Sequence, residues 1–339
     1  MDLSLSGEQR QLVDSFAAMY ARESTSQRVR AAEPVGFDSR LWKALMETGV
    51  VEMAVGEADG GWGASELELA LIAEQYGRAL ASAPVLEAQV AARLLARSGE
   101  AGAGLLAELM TGDKLVSFAP RVAPDRLLGL VPAGAVADTV VALSGERLIA
   151  VPLGENRRRV RNLGSLPLAD VTVGDEVAVL AEGDAARRMF SDALDLWLAL
   201  TASALAGAAK KAVEIGVEYA KQRHAFGSPI GSFQAVSHPL ADSATAADGA
   251  LLLAFEAACA FADEPQRVTE LAAMAFAFAY ETARDATQRS LHVHGGYGFS
   301  MDGDIQLYYR RVRGWAMVYG ASAVALDRVA DARYGAVAN

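Results

Sequence analysis

The stretch Arg223-His-Ala-Phe226-Gly-Ser-Pro229-Ile-Gly-Ser-Phe-Gln234 is followed about sixty residues later by Leu-His292-Val-His-Gly295-Gly296-Tyr-Gly298-Phe. Arg223 stands at the end of a long helical pattern, where a fixed guanidinium can hold a pyrophosphate through paired hydrogen bonds. Phe226 offers a flat apolar face to an adenine or ribose. Pro229 interrupts the chain before Gln234 opens the next helical segment, placing a two-way hydrogen-bonding amide close by. Gly295 and Gly296 let backbone approach a phosphate or adenosine group with no Cβ in the way. The same residues also fit a plain helix–turn–helix, with Arg223 paired to a carboxylate and Phe226 in the core. The residues alone leave both readings open.

Outward from these stretches the pattern is helical over about 185–222, 234–262, 266–293 and 304–335. Apolar runs such as Ala272-Ala-Met-Ala-Phe-Ala-Phe-Ala-Tyr280 point to helices buried on most sides, as in a bundle that also meets another subunit. Residues 6 to about 112 also read as helices. Ser6 is placed to cap a first one, Ser39 or Asp38 another, and Ser65 precedes an apolar pattern with helical spacing. Two more helices are expected over about 86–97 and 100–111. Between them, from Lys114 to about Leu180, short β-branched runs punctuated by Gly, Pro, Asn and Asp predict a small antiparallel β region. The expected organisation is therefore mainly α with a small β middle: an N-terminal helical domain over 1–113, a reduced β domain over 114–183 and a helical bundle over 184–339.

The chain has 339 residues, enough for more than one packed layer. Its net charge is −11 and it has no large basic cluster, which argues against a nucleic-acid partner. The longest basic run, Arg157-Arg158-Arg159-Val-Arg161, reads as a solvated loop. The single cysteine, Cys259, excludes an intrachain disulfide and reads as a buried, inert thiol of a reducing compartment. No signal peptide and no membrane span are expected, and the location expected is cytosolic.

The two quoted stretches resemble the C-terminal signatures of acyl-CoA dehydrogenases, flavoenzymes that oxidise acyl thioesters to enoyl thioesters. The similarity extends over essentially the whole chain and includes the weaker pattern Gly60-Gly-Trp-Gly63 with Tyr76-Gly77. It implies the family's fold: a helical domain, a β-barrel-like middle and a C-terminal four-helix bundle. It also implies FAD, whose ADP half is held across a subunit interface. By that match Arg223, Phe226, Gln234, His292, Gly295 and Gly296 are the FAD-binding residues, serving a neighbour's flavin. Position 292 departs from the family, which has glutamine there. His292 and His294 lack an acidic or thiol partner in the motif, so no metal site is expected.

The catalytic carboxylate is missing. The family removes a proton α to the thioester carbonyl with a glutamate within hydrogen-bond reach. Counted from Gly295-Gly296, its position holds Tyr319, a phenol whose ordinary pKa of about 10 makes it a poor base at neutral pH. Some relatives carry the glutamate on the first bundle helix, and that position holds Trp197. Asp195, two residues away, is expected as surface charge on another side of the helix. The β region reads Val116-Ser-Phe-Ala-Pro-Arg-Val-Ala-Pro-Asp where the family has a Thr-Glu-Pro-x-Ala-Gly-Ser-Asp-like loop beside the flavin ring.

These departures resemble the smaller, base-lacking subunit of α2β2 acyl-CoA dehydrogenases of bacterial steroid degradation, including the one paired in oxidising a three-carbon side chain. The implied partners are a homologous catalytic subunit carrying the glutamate, an acyl-CoA substrate (a sterol side-chain thioester) and an electron-transfer flavoprotein. Two alternatives stand beside this reading. One is a self-sufficient homotetramer with an atypical base such as Asp302 or Asp304. The other is a flavin-free structural partner.

Overall fold

The computed structural model describes residues 4–123 and 126–335. Its chain resolves into two compact units, each built from discontinuous segments.

The first unit takes the N-terminal segment through Ser26, Ala70–Ala81 and the chain from Leu198 onward. Helix α1 (Gly7–Glu23) starts as expected. Ser6 accepts from the Gln9 amide while the Gln9 side chain returns to the Ser6 N–H, which satisfies two donors that the helix cannot. Its inward stripe is Phe16, Met19 and Tyr20, at helical spacing. Tyr20 meets Tyr76 of α4 (Glu66–Arg78) edge-on at 6.5 Å, and Tyr76 lies 5.4 Å from Trp315 of α10 (Ile305–Met317). The bundle is completed by α7 (Gly183–Gln222) from Leu198 on, α8 (Gln234–Asp263), α9 (Val268–Val293) and α11 (Ala321–Tyr334).

Helix α9 is buried round most of its circumference, as its alanine-rich run predicts. Helices α4 and α7 touch backbone to backbone. An ideal Cβ on Gly77 would lie 1.8 Å from the Ala204 carbonyl oxygen, and one on Gly207 would lie 2.2 Å from that of Glu74. Both α7 and α8 are long and apolar enough to cross a bilayer, yet 83% of the apolar window of α7 and 44% of that of α8 are buried inside the fold.

The second unit comprises Gln27–Leu69 and Ser82–Trp197. It holds α2 (Ser26–Ala32) from Gln27 on, α3 (Ser39–Met46), α5 (Val85–Arg97), α6 (Glu100–Thr111) and all the larger strands. Asp38, not Ser39, caps α3, accepting from the Arg40 and Leu41 amides while Arg28 pairs with it at 2.9 Å. Ser65 and Glu68 cap α4 reciprocally. One sheet has the order β1 (Val116–Phe118), β3 (Thr139–Ser144), β4 (Arg147–Pro152), β7 (Ala178–Glu182). The other has β2 (Leu127–Val131), β6 (Ala169–Thr172), β5 (Arg157–Arg159).

Several expectations need correction. The β region is mixed, because β1 runs parallel to β3 with Val116 opposite Thr139. Strand pairing is settled by the loop between strands, and β-branched runs read the same in either direction. The arginine run is the exposed strand β5, whose side chains are tied to carbonyls or to Asp170. The helix expected over 304–335 is two helices, since Gly320 (φ 118°) and Ala321 (φ 61°) turn the chain left-handed between them. Cys259 is half-buried, and burial pushes its thiol pKa up.

Candidate functional site

Helix α7 stops at Gln222 and the chain turns back through a two-residue hairpin. Strand β8 (His224–Ala225) pairs with β9 (Ser228–Pro229), His224 opposite Pro229 and Ala225 opposite Ser228. The Ile230 N–H donates to the Arg223 carbonyl at 2.8 Å and closes the turn. Its two central residues, Phe226 (φ 53°) and Gly227 (φ 81°), both have positive φ, the requirement of a type I′ turn. Glycine meets that requirement freely, but phenylalanine does not.

Phe226 is 97% exposed, with Phe233 edge-on at 6.2 Å. The chain thus accepts both backbone strain and an exposed ring at one residue, with little contact within the fold to offset them. Arg223, Gln234 and His292 are also exposed, and among the described residues none of the three side chains has a hydrogen-bond or ion-pair partner. The helix–turn–helix alternative, with Arg223 paired and Phe226 in the core, is therefore not what forms. Gln234 begins α8, whose N-terminus carries no side-chain cap.

The second stretch lies in the same unit. His292 lies exposed in the last turn of α9, and Gly295–Phe299 forms a short 3₁₀ turn. The glycines there divide by role. Gly298 and Gly303 are demanded by packing, since a Cβ would fall 2.6 Å from the Leu291 oxygen and 2.7 Å from the Tyr297 oxygen respectively. At Gly295 and Gly296 nothing lies within 4 Å of an ideal Cβ, so their backbone is open to an approaching group. His294, in contrast, turns inward and is 7% exposed. It lies against Tyr219 of α7, the ring centroids 4.2 Å apart, and so joins the two stretches. A guanidinium, an amide and an imidazole with unused donors, bare glycine backbone and a presented aromatic face together fit a pyrophosphate-bearing nucleotide.

The positions where a base was sought are filled otherwise. Tyr319 is buried, edge-on to Phe276 at 5.7 Å. Trp197 is 2% exposed and donates its indole N–H to a carboxylate oxygen of Glu87 at 3.2 Å. Burial raises the Glu87 pKa, partly opposed by backbone and Trp197 hydrogen bonds. Asp195, expected at the surface, is 2% exposed; α7 is enclosed on that side too, which its sequence does not signal. Asp302 is exposed, and Asp304 accepts from the Ser26 hydroxyl at 2.7 Å. Of the stretch Val116-Ser-Phe-Ala-Pro-Arg-Val-Ala-Pro-Asp, Pro124 and Asp125 lie outside the described residues. Among those described, no group of three His, Cys, Asp or Glu side chains could hold a metal.

Comparison with known proteins decides the family. Residues 6–103 match the acyl-CoA dehydrogenase N-terminal domain and residues 188–333 the C-terminal domain. The acyl-CoA dehydrogenase FadE27 of Mycobacterium tuberculosis is 30% identical, with 86% of this chain and 87% of that protein covered. This chain belongs to the acyl-CoA dehydrogenase family. Acyl-CoA dehydrogenase IpdE2 of Mycolicibacterium smegmatis is 29% identical over 96% of this chain and 98% of its own length. Among solved structures, a variant of the Tcur3481–Tcur3483 steroid acyl-CoA dehydrogenase superposes with a TM-score of 0.86 at 26% identity, covering 96% of this chain and 97% of that one. A chain of the ChsE4–ChsE5 complex of Mycobacterium tuberculosis shares the fold, with a TM-score of 0.89 at 23% identity and complete coverage of both chains.

Sequence reasoning missed Tyr219, His294 and Glu87. Tyr219 had a local signal, one helical turn before Arg223. Nothing in the sequence pairs it with His294 or Glu87 with Trp197.

Proposed function

We propose that this chain is the base-lacking subunit of a heteromeric FAD-dependent acyl-CoA dehydrogenase acting on a steroid-derived acyl-CoA. A homologous partner supplies the glutamate, the flavin-ring pocket and the thioester site, and an electron-transfer flavoprotein takes the electrons. Bound FAD supplies the hydride acceptor for desaturation. This chain's part is to grip. Arg223 pairs with the pyrophosphate, Gln234 and His292 add hydrogen bonds, and Phe226 lies against the adenine or ribose. The Gly295–Gly296 backbone closes over the phosphates.

The observation that carries this reading is the set of exposed, unused donors beside a strained, presented Phe226, in a chain whose two base positions hold a buried tyrosine and a buried tryptophan. The steroid class rests on the likeness to the Tcur3481–Tcur3483 steroid enzyme, and the heteromeric state on the same likeness and that to the ChsE4–ChsE5 complex.

The test is co-expression with a homologous subunit. The complex is expected to carry two flavins per tetramer and to oxidise acyl-CoA, while this chain alone stays colourless. Arg223→Ala should strip flavin from the complex. An isolated chain that is yellow and bleaches with acyl-CoA overturns the reading, and so does an Arg223→Ala complex with unchanged flavin content.

A further inference from the structure

The two signature stretches share a site only if the end of α7 and the end of α9 are held at a fixed spacing. Arg223 and Gly295–Gly296 belong to separate helices, and the contact that joins their neighbourhoods is a ring stack. Tyr219 lies one turn before Arg223, and its carbonyl accepts the Arg223 N–H at 2.9 Å. Its ring lies on the His294 imidazole at 4.2 Å between centroids and 26° between planes. Tyr297 extends the group, 6.4 Å from each ring and nearly parallel to Tyr219.

His294 is fixed on its other side. Its Nδ1 is 2.7 Å from the Ser290 carbonyl oxygen. A carbonyl has no proton to give, so Nδ1 is the donor and the ring plane is set. One turn below, an ideal Cβ on Gly216 of α7 would fall 3.0 Å from the Ser290 Cβ, so the helices are already at close approach there. His294 immediately precedes Gly295, whose φ of 59° starts the open turn. A shift of the imidazole therefore moves the glycine backbone relative to the Arg223 guanidinium.

We infer that the Tyr219–His294 stack is a positioning device that sets the spacing between the Arg223 guanidinium and the Gly295–Gly296 backbone, and thereby the tightness with which the nucleotide's pyrophosphate is held. This rests on the reading that these groups hold FAD. On this inference the two rings need no contact with the cofactor. They act through the neighbours they orient.

The test uses the flavin-bearing complex with FAD itself as probe, and two variants of similar bulk. His294→Phe keeps a ring for the stack and loses the Nδ1 bond, whereas His294→Gln keeps an N–H donor and loses the ring. The dissociation constant for FAD, read from flavin fluorescence, is expected to rise about tenfold in His294→Gln and in Tyr219→Leu. In His294→Phe it should stay within about threefold of the wild type. The double variant Tyr219→Leu/His294→Gln should be no weaker than either single one, as for two halves of one contact. The melting temperature of the flavin-free complex separates packing from positioning. If it falls in His294→Gln while FAD affinity is unchanged, the residues are merely structural and the inference is overturned. Additive losses in the double variant overturn it too. Should Arg223→Ala leave FAD bound, it is the underlying reading that fails; should Arg223→Ala release FAD while the stack variants hold it, only the positioning inference falls.

Discussion

Phe226 is held where a phenylalanine is costly. A side chain in the left-handed region loses roughly 1–2 kcal/mol relative to its ordinary conformation, and the preferred first residue of a type I′ hairpin is asparagine. Phe226→Asn is accordingly expected to stabilise the free chain by roughly 0.5–1 kcal/mol, measured by thermal or denaturant unfolding. The same variant should weaken FAD binding by the complex about tenfold, through the lost ring contact. Opposite signs in the two measurements are the signature of a residue retained for binding. A variant that loses stability would show that the strain is absent.

Glu87 carries a second prediction at this scale. Its pKa is raised in the folded chain by burial, so between the ordinary glutamate value of about 4.3 and the raised one the folded state holds more proton than the unfolded state. Stability then falls as pH rises through that window and stays lowered above it. Glu87→Gln keeps an oxygen to accept the Trp197 indole N–H and removes the ionisation. It should melt at a higher temperature than the wild type near pH 8, with the advantage shrinking towards pH 4. A melting-temperature difference that does not vary with pH would show that Glu87 titrates as an exposed carboxylate.

At the scale of elements, the crossing of α4 and α7 depends on two glycines. A Cβ on Gly77 would sit 1.8 Å from the Ala204 carbonyl oxygen, a main-chain atom that cannot rotate away. Helix propensity alone would favour alanine by about 1 kcal/mol. The clash is larger, because relieving it means separating two long helices along a buried seam. Gly77→Ala is expected to cost about 3 kcal/mol or more and to lower the melting temperature of the isolated chain by several degrees. An unchanged or higher melting point would mean that the helices do not approach so closely. Pairing in the sheet is decided at this scale as well. Strands β1 and β3 are buried on both faces, Ser117 included, so no inside–outside alternation marks their direction or register.

On the scale of the whole molecule, the chain does not divide at the texture changes visible along it. Its units interleave, with α4 beginning in one and ending in the other, and α7 likewise. Apolar side chains also remain at the surface of the bundle unit, among them Leu252, Phe278, Val324 and Leu326 on α8, α9 and α11. Uncovered apolar surface of this kind is what a subunit of a larger assembly presents. It accords with a chain whose Arg223, Phe226, Gln234 and His292 also face outward.

The sequence by itself determined the helical periods, the caps at Ser6 and Ser65, the helix end before Arg223 and the start at Gln234, because these are set by neighbours within one or two turns. It determined the family, because motif spacing is local information too. Only the tertiary structure decided that Asp195 is buried, that Glu87 answers Trp197, that β1 runs with β3 and that His294 stacks on Tyr219. Each of these joins residues distant along the chain. Their pairing follows from how helices and strands pack, and side-chain volume and close backbone approach settle that packing without leaving a periodic trace in the chain.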